Sequence, residues 1–387
     1  PEGPTYWEYG TIYNVLLIDA LESVLGSDFG LSRSEGFMKS ADYFLHVTGP
    51  SRRFFNYSDS GDARGVSPAN YWFVARRADP SLLWFERPAL RDFLEHPPRA
   101  AGSSHRFFPL VPVWMGASDK VPVPTALHWR GRGQVPVGLH RSGWTPGDTF
   151  VGLKGGSPGA SHAHMDVGSF VMEADGVRWA IDLGRQGYHE IESQGIGLWD
   201  RRQDGDRWSI FRLNNLSHNT LVVDGQLQRV NGHAPIIGFS DRAPMPHTIV
   251  DLSTVYDGQL AAARRGVGLL PERSVVVRDE IKALEKAASI RWGMVTRAEV
   301  MIDGHRSARL EQDGKSLTLR VASPKRARLV LFETEKPPRE YDARNPGTRM
   351  VGFDVELPPG AEEALVLLLQ PSGVGENARA MKPLAEW

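Results

Sequence analysis

His96-Pro97-Pro98-Arg99-Ala100-Ala101-Gly102-Ser103-Ser104 divides this chain into two textures. Adjacent prolines remove backbone donors and bias the residue before them toward extended backbone, and the small residues that follow favour a loop, so no helix is expected to cross the segment. Upstream, apolar residues recur at helical spacing: Ile12, Val15, Leu16, Ile18 and Leu21 lie within Thr11 to Leu25, with Gly26 as the stop. Further helical patterns run from Glu35 to about His46 and from Pro68 to Arg77, with shorter pieces as far as Leu94. Downstream, short β-branched and aromatic runs are punctuated by hairpin-type dipeptides at Asp175-Gly176, Asp224-Gly225, Asp257-Gly258, Asp303-Gly304 and Asp313-Gly314. Segments Ser316–Val321, Ala327–Phe332 and Ala364–Leu369 fit strands of a large antiparallel sheet system. Helices followed by strands predict an α+β multidomain chain, with a helical domain over 1–100 and an antiparallel β-sandwich over 101–387.

Bulk properties narrow the function classes. A chain of 387 residues is long enough for two domains. Lys+Arg 45 against Asp+Glu 46 leaves a net charge of −1, so there is no global basic field for nucleic acid or a membrane surface. An anionic substrate would have to meet a local basic pocket. The absence of cysteine excludes disulfides and Cys-ligated metals and leaves the compartment open. Apolar runs such as Val15–Ile18 fall far short of the ~20 residues a membrane helix needs. The chain opens at Pro1-Glu2-Gly3-Pro4 with neither Met nor a signal peptide, and is expected to continue upstream. No Walker, Rossmann or Gly-X-Ser-X-Gly pattern stands out, which disfavours nucleotide and serine-hydrolase chemistry.

Chemistry concentrates in Ser161-His162-Ala163-His164-Met165-Asp166, then Asp182, then His218-Asn219-Thr220. Imidazole nitrogen and carboxylate oxygen suit zinc or a similar divalent ion, and three such ligands commonly leave one position for water. If Asp175-Gly176 closes a hairpin, Asp182 faces residue 168 or 169, and a straight strand would put His164 roughly 13–17 Å away at about 3.3 Å per residue. A shared ion therefore requires His162–Asp166 to be a bend before a strand that starts near Val167. The glycine-rich run Gly155–Gly159 just upstream suits such a bend, and Asp166 rivals Asp182 as the carboxylate ligand.

A second cluster, Glu2 to Gly10, carries Tyr6, Trp7 and Tyr9 near a helix start, where a phenol could act as acid or base and aromatic rings could stack on sugars. A tyrosine of pKa near 10 serving as base at neutral pH costs about 4 kcal/mol at 1.36 kcal/mol per unit, whereas a phenol that donates its proton carries no such cost. Asn56 and Tyr57 lie in a polar loop that could face a ligand, Tyr188 follows Asp182 by six residues, and Arg141 and Arg212 could pair with a carboxylate.

With these residues in view, the chain resembles the heparinase II/III-like polysaccharide lyases. The resemblance rests on Glu2 to Trp7, on Ser161 to Phe170, on Ala180-Ile181-Asp182-Leu183-Gly184 and on Arg212 through Leu221. It implies an incomplete α/α toroid followed by an antiparallel β-sandwich, with the active cleft between them. It further implies zinc or another divalent cation on His164, Asp182 and His218, in a structural role, with Tyr6 as the catalytic tyrosine and His162 facing substrate. Tyr9 is close enough to compete with Tyr6 for that role. The implied reaction is β-elimination at a uronic acid: the carboxylate is neutralised, a base takes the C5 proton and an acid protonates the departing O4. Tyr6 would supply the acid and His162 the base or its assistant. Tyr9, Asn56, Tyr57, Tyr188 and Arg212 are the expected substrate contacts. Glycosaminoglycan and alginate are both admissible acidic substrates, a periplasmic or secreted location goes with them, and a homodimer is compatible. The family's carboxylate-neutralising residue lies before the tyrosine, so weak or no activity is expected of this stretch alone. The competing expectations are a non-catalytic carbohydrate-binding protein with a structural metal, and a metal enzyme whose ion does the chemistry.

Overall fold

The computed structural model describes residues 2–97, 105–116, 120–371 and 381–387. Helix α1 (Pro4–Leu25) ends where Gly26 turns left-handed at φ 72°, as its sequence predicts. Helices α2 (Ser40–His46), α3 (Pro68–Arg77), α4 (Glu86–Glu95) and α5 (Leu110–Trp114) follow. The helical pattern beginning at Glu35 is helix only from Ser40, because turns occupy the residues before it. Ile12, Val15 and Ile18 of α1 meet Leu45 of α2, Trp72 and Phe73 of α3, and Val111 and Trp114 of α5 in one apolar cluster. That cluster therefore extends past residue 100. Residues 98–104 of the expected linker lie outside the described residues.

Strands β1 (His128–Arg130), β2 (Val137–Arg141), β3 (Phe150–Lys154), β4 (Phe170–Ala174) and β5 (Val177–Ala180) form an antiparallel meander in chain order. After the short helix α6 (Tyr188–Glu192) come β6 (Leu221–Val223), β7 (Ile236–Ser240), β8 (His247–Asp251), β9 (Leu260–Leu269), β10 (Val275–Ala283) and β11 (Ala288–Thr296). Then follow β12 (Glu299–Asp303), β13 (Ser307–Gln312), β14 (Lys315–Ser323), β15 (Val330–Glu333), β16 (Arg349–Leu357) and β17 (Glu362–Pro371). An eight-stranded sheet runs β12-β13-β14-β17-β10-β9-β8-β7, and a four-stranded one β15-β16-β11-β6. In β14, Leu317, Leu319 and Val321 alternate inward, the period-two signature of a strand with one solvated face. In β17, Leu365, Leu367 and Leu369 face the main core while Val366 and Leu368 are covered by a second cluster that includes Trp387. Burial on both faces explains its unbroken apolar sequence.

One apolar core takes side chains from all three sheets, among them Phe170, Trp179, Ile290, Trp292, Val277 and Leu367. Each such side chain, fully buried, contributes about 1.5–3 kcal/mol relative to exposure. Asp175-Gly176 and Asp313-Gly314 close two-residue hairpins with both residues at positive φ. Asp303-Gly304 opens a slightly longer one. Asp224-Gly225 makes a tight turn closed by a single bridge between Val223 and Gln226, and Asp257-Gly258 ends a 3₁₀ turn instead of joining paired strands. A helical-side segment docks on the meander: Phe44, Phe54, Phe55 and Tyr57 pack on Val137, Leu139 and Phe150. The buried Arg141 guanidinium fastens it by donating to the carbonyls of His46 and Thr48, both at 2.9 Å. This docking presents residues 55–60 to the loop before β4.

Candidate active site

Two loops and one helix start converge here. At Gly3 the chain takes φ +94° to enter α1, and a Cβ there would fall 2.5 Å from the Ser60 Cβ, so only glycine lets α1 sit this close to the 55–60 loop. The Thr5 amide donates to Ser60 Oγ at 3.2 Å, which places Tyr6 over the loop. From the sheet side, residues 161–169 form bends, and β4 begins at Phe170 instead of near Val167. The delay has a local cause: Gly168 turns left-handed and the Ser169 amide donates to the Asp166 carbonyl at 2.9 Å. The expected bend across His162–Asp166 is present, with His162 itself at φ 54°. A β-bulge between Met172 and Glu173 shifts the hairpin register by one residue.

Asp59 is the hub, a residue the sequence reading did not single out. It is 1% exposed and its Oδ2 accepts from the Tyr188 hydroxyl at 2.7 Å and from His162 Nδ1 at 3.0 Å. Its Oδ1 faces His164 Nε2 at 2.8 Å, and the buried Arg207 guanidinium donates to both oxygens at 3.2 and 3.3 Å. Burial alone would raise this carboxyl; the His164 hydrogen bond and charge, then Arg207 and Tyr188, override it and hold it well below the usual carboxylate range. Because the ionised carboxylate only accepts, the proton of His162 belongs on Nδ1, and Nε2 is the ring's basic nitrogen. Tyr188 lies above the ordinary tyrosine range through burial, the Tyr6 hydrogen bond and the Asp59 charge, so it stays protonated. Its proton goes to Asp59, and the Tyr6 hydroxyl, 2.7 Å from the Tyr188 hydroxyl, therefore donates to it. The Tyr6 and His162 ring centres stand 5.0 Å apart.

Beneath them, the His164 and His218 rings are 5.4 Å apart and buried. His218 Nδ1 pairs with Asp182 Oδ2 at 2.7 Å, as His164 Nε2 pairs with Asp59, and the remaining nitrogens, His164 Nδ1 and His218 Nε2, have no hydrogen-bond partner. Burial lowers the His164 ring against the pull of Asp59; His218 is also opposed by burial, yet Asp182 outweighs it and raises the ring. Two unpartnered imidazole nitrogens, each backed by a carboxylate on the other side of its ring, have the donor chemistry of a divalent-cation site. Asp182 has one oxygen on His218 and the other accepting the Gly184 amide at 2.8 Å. Among the described residues no group of three His, Cys, Asp or Glu side chains is arranged to hold an ion. The rival carboxylate, Asp166, forms a buried ion pair with Lys154 and accepts the Ser58 amide at 2.8 Å.

The other expected site residues divide. Asn56 donates to the Asp182 carbonyl at 3.2 Å and so braces the histidine pair. Tyr57 is buried, shares a 2.7 Å hydrogen bond with Tyr43, and lines a cavity of about 900 Å³ that Tyr6 also lines. Tyr9 is 56% exposed and stacks edge-on against Tyr13, whereas Tyr6 is the tyrosine joined to the Asp59 hub. Arg212 spends its guanidinium on Asn345 Oδ1 and the carbonyls of Arg185 and Arg344.

A family model described as "Heparinase II/III-like, C-terminal" matches residues 137–348, more than half of the chain. The chain belongs to the heparinase II/III-like family. A mutant of the heparan sulfate lyase HepC from Pedobacter heparinus superposes with TM-score 0.72 at 15% identity, over 97% of this chain and 53% of that one. A heparinase III crystal structure gives TM-score 0.62 at 15% identity, over 93% of this chain and 53% of that one. At such identities the likeness is one of fold. Among curated proteins, the acyl-carrier-protein phosphodiesterase PptH of Mycobacterium tuberculosis is 25% identical over 169 residues, 40% of this chain and 51% of that protein. The chain spans about half the length of the relatives it matches. In this heparinase II/III-like chain Asp59 and Arg207 escaped the sequence reading. Asp59 lay within the polar run Phe55–Gly61 that could be read as a ligand-facing loop, but nothing there set it apart from Asn56 and Tyr57, and Arg207 offered no signal.

Proposed function

We propose that this chain carries the acid–base half of a lyase that cleaves uronate-containing polysaccharide by β-elimination. The observation that carries the reading is the Tyr6–Tyr188–Asp59–His162 hydrogen-bond chain, which sets the phenol of Tyr6, a residue lining the cavity of about 900 Å³, beside the His162 ring at 5.0 Å between ring centres. In this reading the C5 proton moves to His162 Nε2, the C4–O4 bond breaks as the C4–C5 double bond forms, and the Tyr6 hydroxyl, turning from Tyr188 to the substrate, gives its proton to O4. Asp59 keeps His162 in the tautomer that the step needs and offsets the imidazolium charge that develops. In this reading the helices α1–α5 are read as part of an α/α toroid, and the group that neutralises the substrate carboxylate is the one the family resemblance sets on a toroid helix before the tyrosine. We extend the reading to a structural divalent cation, zinc by its donor chemistry, held by the open nitrogens of His164 and His218, with Asp182 becoming a third ligand only on leaving His218 Nδ1 and the Gly184 amide. A periplasmic or secreted location follows from an extracellular acidic polymer as substrate. Among the described residues no helix is long and apolar enough to cross a membrane.

The test is a pair of variants of the whole protein, Tyr6→Phe and His162→Ala, assayed for turnover and for oligosaccharide binding. Loss of turnover with binding retained supports the reading; turnover at the parent rate in either variant contradicts it.

A further inference from the structure

Resting on that reading, we propose that the cavity beside Trp199 is a second acidic-sugar site, so that a polysaccharide chain lies across the Tyr6–His162 pair and is cut internally. This cavity, of about 630 Å³, is lined by Trp199, Arg201, Arg202, Gln203 and Asn231 among others, and shares no lining residue with the larger cavity beside Tyr6. His162 and Tyr188, which line neither cavity, stand between the Tyr6 and Trp199 rings that do. Tyr6 stands 5.0 Å from His162, and Trp199 stands edge-on 5.1 Å from His162 and 5.2 Å from Tyr188.

Trp199 is 50% exposed, so one indole face is open to a ligand, and its ring is held in place by Nε1 donating to Glu192 Oε1 at 3.0 Å. Arg202 is neutralised by Asp200, with hydrogen bonds of 2.9 and 2.6 Å. Arg201 is different: it reaches only the Gly159 carbonyl, at 3.3 Å, and forms no ion pair among the described residues. A fixed indole face next to an uncompensated guanidinium recognises a pyranose ring bearing a carboxylate or sulfate, the ring by stacking and the anion by paired N–H donors. The exposed Asn231 amide adds hydroxyl-binding capacity at the same cavity. On the other side, Tyr6 shares its cavity with Trp129 and with Arg130, Arg132 and Lys39, although the carboxylates Glu2, Glu35 and Asp42 line it as well. Sugar residues can thus be seated on both sides of the bond that Tyr6 and His162 face, which an enzyme trimming only chain ends does not need.

The experiment uses the whole protein with Tyr6→Phe to suppress turnover, titrated calorimetrically with hexasaccharides of unsulfated heparosan, of heparan sulfate and of a neutral glucan. Arg201→Gln is expected to weaken binding of the acidic hexasaccharides about tenfold and leave the neutral one unchanged, and Trp199→Ala to weaken all that bind. A larger loss with the sulfated chain assigns the anion as sulfate, an equal loss as carboxylate. Acidic hexasaccharide binding at parent affinity in both variants, with their circular dichroism unchanged, overturns the second site. The size of the first products from a long polymer is a separate readout with Tyr6 intact: mid-length fragments are expected, and disaccharides from the outset would overturn internal cleavage. If no unsaturated product forms although the hexasaccharides bind, the lyase reading has failed and the binding site stands.

Discussion

The Tyr188 hydroxyl lies 2.7 Å from Asp59 Oδ2 and 2.7 Å from the Tyr6 hydroxyl, so a single phenol couples the tyrosine of α1 to the carboxylate beneath His162. Replacing Asp59 with asparagine keeps the shape but offers His162 Nδ1 an amide in place of a carboxylate. We expect Asp59→Asn to lower kcat about 10²-fold or more with a smaller change in KM, checked by initial rates of the whole protein. Activity within twofold of the parent would remove Asp59 from the account.

The buried pair Lys154–Asp166 makes a prediction about stability that is independent of catalysis. Both side chains are fully buried, and Asp166 lies below the ordinary carboxylate range because Lys154 and the nearby histidines outweigh its burial. Lys154→Met leaves an unpaired carboxylate in the interior and is expected to cost about 3–5 kcal/mol in unfolding free energy, measured by urea denaturation. A cost below 1 kcal/mol would mean that the pair is replaceable.

Glu8 gives the fold a pH dependence. Part of the residue reaches solvent, but its carboxyl end is raised to about 7 by burial and then by the Glu86 carboxylate, against the pull of Arg64. A carboxyl raised in the folded state stabilises it fully below its unfolded pKa of about 4.3, and that contribution is lost as pH climbs through about 7. Glu8→Gln should therefore raise Tm relative to the parent at pH 8 and not at pH 4. Parallel Tm profiles across that range would refute the assignment.

Much of this was legible in the sequence, for identifiable reasons. The α1 pattern, the Gly26 stop and α3 were readable because periodicity and capping act within a few residues. The Asp-Gly turns at 175 and 313 were readable because left-handed backbone at both positions leaves few residue choices. The bend at 162–166 was expected because strand geometry forbids His164 and Asp182 to share an ion across a straight strand, with the glycine-rich run 155–159 as its local signal. Asp59 was not legible, because its importance arises from contacts with residues more than 100 positions away, which no local pattern encodes. For the same reason Arg212, set beside His218 by its motif, could not be read as a tie to Asn345. The bulge that changes the register opposite Asp182 leaves no mark in the hydrophobic alternation.

The proposed cation on His164 and His218 has a direct test. Native protein is expected to carry about one divalent ion per chain by elemental analysis, and chelation to lower Tm by several degrees. His164→Ala should abolish both the ion and the chelator sensitivity. Protein free of metal as purified, with a Tm indifferent to chelator and to added zinc, would show that the two open nitrogens serve another purpose.

The central claim is β-elimination. Its most direct test is ultraviolet absorbance of the unsaturated uronate product, followed for the whole protein on heparan sulfate, heparin, hyaluronan, chondroitin sulfate and alginate. A rise on at least one polymer, lost in Tyr6→Phe, is the expected result. Absence of unsaturated product across the panel, from folded protein with its metal content measured, would contradict the account.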